Sequence, residues 1–359
     1  MGSPFGVVVT QSGDWSFVSA DNWVGVFRTG GPALPSFAEF VSTSGDLEDE
    51  ALTPDGRYLL AAEGTGAVVI SVSRAEAGEP AVLGTLGSGG PSGGAVEVTV
   101  SPGGRFAFVS EENSGSIAVF DLQKALTTGF SPADLVGRIP VDDSPVGMTV
   151  SPDGRWLYAT TESTARGQHA GTGVAGTRGI PVSPGLPTSG SGAVGGEGTL
   201  TVISLARAET DPAASVVATV KAGCSPVRVI TSADGSVVWV TARGSDRLLA
   251  FSATRLLSDP AHSLIASVEV GEAPVGLALV DHGERIVVAD SDRFAAKGAA
   301  SSLAVVDIPS ALAGRPALLG YIPGGGFPRE MALEPGGSTL LVTDYSSDQL
   351  ESVSLAHLP

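Results

Sequence analysis

Short apolar runs rich in β-branched and aromatic residues alternate with polar turns along the whole chain of 359 residues. In one example, the runs at 146–150 and 156–160 flank the turn Pro152-Asp153-Gly154-Arg155. Proline fixes φ at the first corner of such a turn, aspartate caps it, and glycine takes the left-handed conformation that ends a hairpin. Since the flanking runs consist of strand-forming residues, the pattern predicts antiparallel β-hairpins.

This hairpin pattern occurs seven times, and successive turn glycines are 43, 48, 50, 81, 48 and 54 residues apart. The marker residues are Gly13, Gly56, Gly104, Gly154, Gly235, Gly283 and Gly337. In a complete unit two more strand-forming runs follow the hairpin, as at 199–205 and 216–220 in the fourth unit. A repeat of this length with almost no helical periodicity predicts an all-β fold, a seven-bladed β-propeller of four-stranded antiparallel blades. Because seven repeats close one ring, residues 1–359 are expected to form a single domain.

The seventh unit departs from this pattern. It supplies strand-forming runs near 330–333, 339–343 and 350–355, and the sequence ends at Pro359 before a fourth. The run at 5–10 already matches the first strand of unit one. We therefore predict a seventh blade of three strands, or one whose outer strand was removed with a native terminus.

The step of 81 residues reflects an insertion at 163–198, between strands two and three of blade four. It is rich in Gly, Ser, Thr and Pro and has almost no large apolar residue, so it cannot form a core of its own. One interpretation is a surface excursion, and the other is a lid over a site. The segment 171–176 matches a dinucleotide fingerprint in spacing, but no strand precedes it and no helix follows, so a dinucleotide cofactor is not expected.

The segment Pro145–Thr160 reads Pro-Val-Gly-Met-Thr-Val-Ser-Pro-Asp-Gly-Arg-Trp-Leu-Tyr-Ala-Thr. It resembles the repeats of YVTN-type propellers, relatives of the lactonase-like seven-bladed family. The segments 328–333 and 340–345 are similar to the last repeat of such proteins. The resemblance implies a seven-bladed fold. For function it implies a lactone hydrolase, a lactone-forming isomerase or a member without an assigned role.

Histidine placement departs from the lactonase-like pattern, which usually brings histidine to the channel mouth. The four histidines lie in the insertion, in a turn on the other face, and at two further positions away from the mouth, namely His169, His282, His262 and His357. Ser-His-Asp, Cys-His and metal-His chemistry are therefore not expected. Cys224, the only cysteine, is interpreted as a small packed residue that has no disulfide partner in the chain.

The formal net charge of −18 and the absence of a basic run exclude nucleic acid and anionic membrane surfaces as partners. No apolar stretch approaches the roughly 18 to 20 residues that span a bilayer. The first residues lack the basic and apolar regions of a signal peptide. The compartment stays open, and it would be extracytoplasmic if the start is trimmed. A monomer is expected, with the top face as the surface for any protein partner.

The top face of the predicted disc carries the loops that enter strand one and those that leave strand two. One position of strand one recurs at the top mouth of the central channel, and around the ring it is occupied by Gly6, Asp49, Glu97, Gly147, Arg228, Gly276 and Glu330. Adjacent top positions add Glu48 and Arg329. The loops after strand two add Glu63, Glu111, Glu112, Glu162, Arg243, Asp290 and Asp344. Four charges among three glycines are not a core pattern.

Buried carboxylates are costly unless paired, so we expect ion pairs of Arg228 or Arg329 with Glu97 or Glu330. One interpretation is a ring of salt bridges that seals the channel. The other is a site for a small polar or anionic ligand. Its candidate residues are Asp49, Glu97, Glu111, Glu162, Arg228, Arg243, Arg329, Glu330 and Asp344.

If chemistry occurs there, Glu97 or Glu330 would act as acid or base. Arg228 or Arg329 would then hold a carboxylate or developing oxyanion of a lactone or hydroxy acid. No cofactor is expected. The only metal that the residues suggest is calcium, at Asp290-Ser291-Asp292 or among the acids of the mouth, because it prefers several oxygen ligands.

Overall fold

The computed structural model describes residues 2–30, 34–87, 89, 93–164, 196–293 and 301–359. Within these ranges 27 strands form seven antiparallel sheets, six of four strands and one of three. The first strands of successive sheets contact one another around a closed ring, and β25 contacts β1. The chain is a seven-bladed β-propeller, as the turn repeat predicts.

Each blade follows chain order from its inner to its outer strand. Blade one contains β1 (Pro4–Val9), β2 (Trp15–Ala20), β3 (Trp23–Arg28) and β4 (Ser36–Ser42), and blade two contains β5 (Leu47–Leu52), β6 (Tyr58–Glu63), β7 (Gly66–Ser71) and β8 (Val82–Gly87). Blade three contains β9 (Ala95–Val100), β10 (Phe106–Glu111), β11 (Ser116–Asp121) and β12 (Leu135–Pro140), and blade four contains β13 (Pro145–Val150), β14 (Trp156–Thr161), β15 (Glu197–Ser204) and β16 (Val216–Cys224). Blade five contains β17 (Pro226–Thr231), β18 (Val237–Ala242), β19 (Arg247–Ser252) and β20 (Leu264–Glu269), and blade six contains β21 (Pro274–Val280), β22 (Arg285–Asp290), β23 (Ser302–Asp307) and β24 (Leu318–Pro323). Blade seven contains β25 (Pro328–Leu333), β26 (Thr339–Asp344) and β27 (Gln349–Ser354).

Short helices follow the third strands of blades two to six. They are α1 (Val72–Ala77), α2 (Leu122–Thr128), α3 (Leu205–Ala208), α4 (Ala253–Ser258) and α5 (Ile308–Leu312). Single 3-10 turns occupy Glu112–Ser114, Pro132–Asp134, Pro212–Ala214, Arg243–Ser245, Pro260–His262, Asp281–Gly283 and Leu355–His357. No helix in the described ranges has the length and apolarity that a membrane crossing requires.

Blade seven has three strands, as predicted, and β27 is its edge. Its residues Glu351 and Ser352 are half-buried, whereas Val68 and Val69, at the same positions of β7, are fully buried. A charge on an edge strand discourages pairing with other chains. In blade four, strand two ends at Thr161 and strand three begins at Glu197, so most of the predicted insertion, with His169 and the segment 171–176, lies outside the described residues.

The hydrophobic core lies between neighbouring blades. One cluster, for example, joins Leu60 and Val69 of blade two to Val98, Val109 and Phe120 of blade three. This is the expected consequence of strands whose two faces are both covered by the adjacent blades. Each blade is therefore held by its neighbours on both sides.

Every first strand carries a β-bulge near its top end, where two residues interrupt the pairing with the second strand. In blade four the register shifts between Pro145 and Met148, which leaves Val146 and Gly147 in the bulge. Bulges re-aim side chains and occur often beside functional sites. Here they place two residues per blade at the channel mouth.

A hydroxyl near the end of strand two links one blade to the next. Thr160 accepts the N–H of Gly147 at 3.0 Å and donates to the carbonyl oxygen of Val227 in blade five at 2.7 Å. Four other blades make the same two bonds, through Ser19, Ser110, Thr241 and Thr343. Blades two and six have alanines at this position, Ala62 and Ala289.

The link of Thr343 closes the ring, because its hydroxyl donates to the carbonyl oxygen of Phe5 in blade one at 2.9 Å. Thr343→Val is expected to lower the free energy of unfolding by about 1–3 kcal/mol, since it leaves two buried backbone groups without their partner. Chemical denaturation measures this change. Thr231→Val, which alters a threonine outside these links, is the control and is expected to change stability far less. Equal effects of the two substitutions would contradict a role of Thr343 in closure.

Candidate functional site

The bulges build the channel mouth in two layers. The first bulge residues form a collar, which consists of Phe5, Glu48, Val96, Val146, Val227, Val275 and Arg329. Five apolar members of the collar pack into one cluster although they come from blades one, three, four, five and six. With Phe327 and Tyr345, which pack against it from blade seven, this cluster runs around the mouth from blade three to blade one. The collar is therefore apolar except at Glu48 and Arg329, which flank Phe5.

The second bulge residues form an inner ring, which consists of Gly6, Asp49, Glu97, Gly147, Arg228, Gly276 and Glu330. Two of the glycines are required by close backbone approach. A Cβ on Gly147 would lie 2.2 Å from the carbonyl oxygen of Val227, and one on Gly276 would lie 2.2 Å from that of Arg329. The seven residues that the turn spacing predicted for this ring thus occupy the same bulge position in all seven blades.

Arg228 lies at the centre of the inner ring and meets three carboxylates from blades two, three and seven. Its Nη1 is 3.2 Å from Glu97 Oε2, its Nη2 is 3.3 Å from Asp49 Oδ2, and its Nε bonds Glu330 Oε1. The side chain is only 6% exposed. The expected pairs of Arg228 with Glu97 and Glu330 are therefore present, and Asp49 is a third partner.

One arginine does not neutralise three carboxylates in a buried site. Burial, opposed by Arg228, raises the pKa of Glu97 well above its usual value and that of Glu330 to about 7. Burial also raises the pKa of Asp49, again against Arg228. For Arg228, burial acts to lower the pKa, but Glu330, Glu97 and Asp49 together raise it. The cluster therefore keeps Arg228 charged and retains a proton up to neutral pH.

Arg329 is held differently. Its guanidinium carbon lies 3.4 Å from the ring centre of Phe5, 5.3 Å from that of Tyr345 and 5.6 Å from that of Phe327. Among the described residues no carboxylate lies within ion-pair distance of it, and its buried Nε has no hydrogen-bond partner. Burial and then Arg228 lower the pKa of Arg329 to about 10. The expected ion pair of Arg329 with Glu97 or Glu330 is not present.

Phe327 adopts a φ of 58°, which is an outlier for a bulky residue. Equivalent positions before the first strand hold small residues at similar φ, namely Gly94, Ser144, Ser225 and Ala273. Strain of this kind is retained where the surroundings fix it, often at functional sites. In this case the strained backbone brings the Phe327 ring to 5.5 Å from Tyr345 and beside Arg329.

More charged residues lie above the collar. Arg243 and Glu162 form an ion pair of 2.8 Å between blades five and four. Glu112 has a pKa raised by burial and by Glu162, against the arginines Arg243, Arg293 and Arg329. The sequence analysis missed Arg293, although it lies in the loop after strand two of blade six, where other candidates were placed. Burial also raises the pKa of the collar residue Glu48 to about 7, against Arg329 and Arg228.

Glu111 and Asp344, two of the predicted ligand residues, do not reach the mouth. Each is the last residue of a second strand, and Glu111 bonds Arg138 Nε on the outermost strand of its own blade at 2.8 Å. Asp344 is fully buried against Gly325, and burial together with Glu351 raises its pKa to about 7. Glu112, which begins the 3-10 turn after Glu111, lies instead near Glu162, Arg243 and Arg329.

The calcium hypothesis gains no ligand set from the geometry. The described ranges contain no group of three or more His, Cys, Asp and Glu side chains placed to hold a metal ion. Asp290 is fully buried, accepts from Ser302 at 3.1 Å and has a pKa raised to about 7 by burial. Cys224 is buried, as its interpretation as a packed residue requires.

Glu50 was missed by the sequence analysis. It follows the inner-ring residue Asp49, and the other six blades have apolar residues at its position, namely Val7, Val98, Met148, Val229, Leu277 and Met331. Glu50 is 5% exposed, and neither carboxylate oxygen meets hydrogen-bond geometry with any described residue. Burial and the neighbouring Asp49 raise its pKa well above the usual value. An acidic residue at a repeat position that is otherwise apolar is the signal that finds it.

Comparison with known proteins bears on the fold. No protein-family model and no curated protein matches the chain. Among solved structures, it is similar to a chain of Kuenenia stuttgartiensis hydrazine synthase, with 16% identity over 99% of this chain and 96% of that one and a TM-score of 0.72. A chain of the mitotic checkpoint complex matches with 11% identity over 98% and 87% and a TM-score of 0.69. A functionally unknown protein from Desulfotomaculum acetoxidans DSM 771 matches with 14% identity over 89% and 86% and a TM-score of 0.62.

The TM-scores support the propeller fold, and the identities, all below 25%, carry no function. The class of protein that fold and comparisons define is the seven-bladed β-propeller. The finer resemblance to YVTN-type and lactonase-like propellers stays a prediction.

The raised carboxyl pKa values have a consequence for stability. Glu48 and Glu330 have pKa values of about 7 in the folded chain against 4.5 when unperturbed, so the folded state binds more protons than the unfolded state. The free energy of unfolding is therefore expected to fall by about 1–3 kcal/mol from about pH 5 to about pH 8. Carboxyls with lowered pKa, such as Asp153, act at lower pH. Denaturant titrations across this range measure the slope.

Glu330→Gln is expected to flatten this slope, because it removes one of the titrating groups. Glu79→Gln, which neutralises an exposed glutamate, is expected to preserve it. Stability that stays constant or rises across the range would contradict the raised values.

Glu50→Met is expected to raise the free energy of unfolding near neutral pH by about 1–4 kcal/mol, because it replaces a buried, unpaired acid with the residue type of the equivalent positions. Glu50→Gln, which keeps the shape and a polar group, is expected to gain less. Chemical denaturation of the three proteins measures the differences. A loss of stability in Glu50→Met would show that the carboxyl group has a role in the fold.

Proposed function

We propose that the chain is a binding protein that holds a small polar or anionic ligand at the top mouth of its channel. The carrying observation is Arg329, a charged group at the mouth with no ion-pair partner among the described residues and an unpartnered Nε. Buried polar groups nearly always find a partner, and an unmatched one in a concave site supports a ligand. Arg329 is thus the anion anchor of this proposal.

Arg228 supports a different role. Its three carboxylate neighbours already match its charge. Arg228 therefore fits the ring of salt bridges that seals the channel, and in this proposal it lies below the ligand. Above the collar, Glu162 and Arg243 line the approach together with Glu112 and Arg293. The proposal therefore places Asp49, Glu97, Arg228 and Glu330 in the floor of the site and Arg329 at its contact surface. Glu111 and Asp344 are left out of it.

A second candidate is the lactonase-like enzyme suggested by the sequence resemblance. It is favoured by Glu330 and Glu48, whose pKa values of about 7 suit a group that accepts and donates a proton near neutral pH. In this case Glu330 or Glu97 is the acid or base. Arg329, and not Arg228, stabilises the anion that develops from a lactone or hydroxy acid.

We also propose residues 163–198 as an insertion within one domain. Its start beside Glu162, which pairs with Arg243, supports a position next to the mouth. A protein partner at the top face would meet the same surface. The net charge of −18 supports neither nucleic acid nor an anionic membrane as that partner.

A thermal-shift screen of lactones, hydroxy acids and sugar acids tests the binding proposal, because a ligand of the folded state raises its melting temperature. Hits are then titrated calorimetrically into Arg329→Gln and into the control Arg315→Gln, which changes an exposed arginine on blade six. Loss of the anchor is expected to weaken binding at least about tenfold, since charge-assisted hydrogen bonds are the strong ones. Equal affinity of both variants, or no hit at all, would contradict the proposal and favour the seal.

Turnover of each hit separates the two candidates. An enzyme requires that Glu330→Gln abolishes turnover while binding is largely kept, whereas a binding protein shows affinity changes without product.

A further inference from the structure

A groove opens on the top face of blade two, next to the channel mouth, and is bordered by the loops that enter blades two and three. Its lining residues include the three carboxylates of Asp46, Glu48 and Glu63 and the small residues Gly45 and Thr85. Among the described residues none of these three carboxylates takes part in an ion pair. The groove joins the collar at Glu48 but is separate from the Arg228 cluster.

Glu63 is the buried acid of this groove. It is 7% exposed, its Oε1 accepts from the hydroxyl of Ser44 at 2.8 Å, and its buried Oε2 has no hydrogen-bond partner in the described part of the chain. A Cβ on Gly45 would lie 2.8 Å from Oε1, so the glycine leaves room for the carboxylate. A buried carboxylate oxygen without a donor is costly and points to a partner of positive charge.

Blade three shows how the same position is satisfied internally. Glu111, the equivalent of Glu63 at the end of strand two, accepts from Arg138 Nε at 2.8 Å and from Ser116 at 3.1 Å. In blade three, Arg138 lies opposite Ala118, which lies opposite the residue two before Glu111. In blade two, Thr85 lies opposite Val68, which lies opposite the residue two before Glu63. Thr85 therefore occupies the position that Arg138 has in blade three. Ser116 aligns with Gly66 in the same way.

Blade two therefore has the acid, Glu63, but no cation at the position of Arg138. Thr85 replaces the arginine and is exposed in the groove, and Gly66 replaces the serine, so neither supplies the donors that Glu111 receives. Asp46 and Glu48 add two more carboxylates to the same groove. The groove therefore contains the acidic partner of the blade-three ion pair, and Thr85 stands where that pair has its arginine.

We propose that this groove binds a guanidinium or primary ammonium group of a ligand, which takes the place that the Arg138 side chain occupies in blade three. The cation bonds Glu63 Oε2, and Asp46 and Glu48 contribute attraction at the open end. The group belongs to a free organic cation or to a basic side chain of a peptide. This inference does not rest on the ligand proposed for the channel mouth.

Calorimetric titration of N-butylguanidine into the full chain, with its neutral isostere N-butylurea as the matched ligand, tests the charge requirement. N-butylguanidine is expected to bind and N-butylurea to bind at least about tenfold more weakly, because only the former makes charge-assisted hydrogen bonds. Ac-Gly-Arg-Gly-amide is titrated in parallel. Tighter binding of this peptide than of N-butylguanidine would assign the group to a basic peptide, and weaker binding to a free small molecule.

Two variants locate the binding. Glu63→Gln is expected to weaken N-butylguanidine binding at least about tenfold, whereas Glu79→Gln, with the same loss of charge at an exposed position, leaves it within about twofold. Thr85→Arg rebuilds the blade-three arrangement, so it is expected to abolish binding and to raise the melting temperature. Equal binding of the two butyl compounds, unchanged binding by Glu63→Gln, or binding retained by Thr85→Arg would overturn the proposal.

Discussion

The β-bulge of each first strand, fixed in five of the seven blades by a hydroxyl of strand two, is the constraint on which the rest of the structure depends. The hydroxyl of Thr160 holds the bulge of its own blade through Gly147 and reaches the carbonyl of Val227 in the next blade. One side chain thus sets both the local geometry and the spacing between blades. The same bond from Thr343 to Phe5 joins the last blade to the first, and among the described residues no strand is shared between them.

The bulges also explain why the mouth is both apolar and charged. Without them, alternate residues of a strand would face the channel, and the collar and inner ring would not be neighbours in sequence. With them, valines of the collar cover an inner ring in which Arg228 meets Asp49, Glu97 and Glu330. The charges are buried beneath an apolar layer, which is why burial is the largest cause of the raised pKa values.

The number of blades, the hairpins, the three-stranded last blade and the members of the inner ring could be predicted from the sequence, because turn residues and the alternation of strand-forming runs are local signals. The direction of Glu111 and Asp344 could not, because it depends on where strand two ends and the following turn begins. Nor could the stacking of Arg329 on Phe5, since it depends on ring closure between the two ends of the chain. The burial of Glu50 could not be predicted either, because it depends on the register that the bulge before it sets.

In a repeat protein, equivalent positions of different blades can be compared directly. The two arginines of the channel mouth, Arg228 and Arg329, illustrate this comparison. Arg228 and Arg329 both sit in bulges of equivalent strands, yet Arg228 is surrounded by carboxylates and Arg329 by aromatic rings. Three acids match the charge of Arg228 within the fold, although its Nη1 and Nη2 do not meet hydrogen-bond geometry, so this charge has a structural use. An arginine that is stacked on rings, with an unpartnered Nε and a pKa lowered to about 10, is not satisfied in this way. Function is therefore better sought where a repeat position lacks the partner that its chemistry requires than where charges are most numerous.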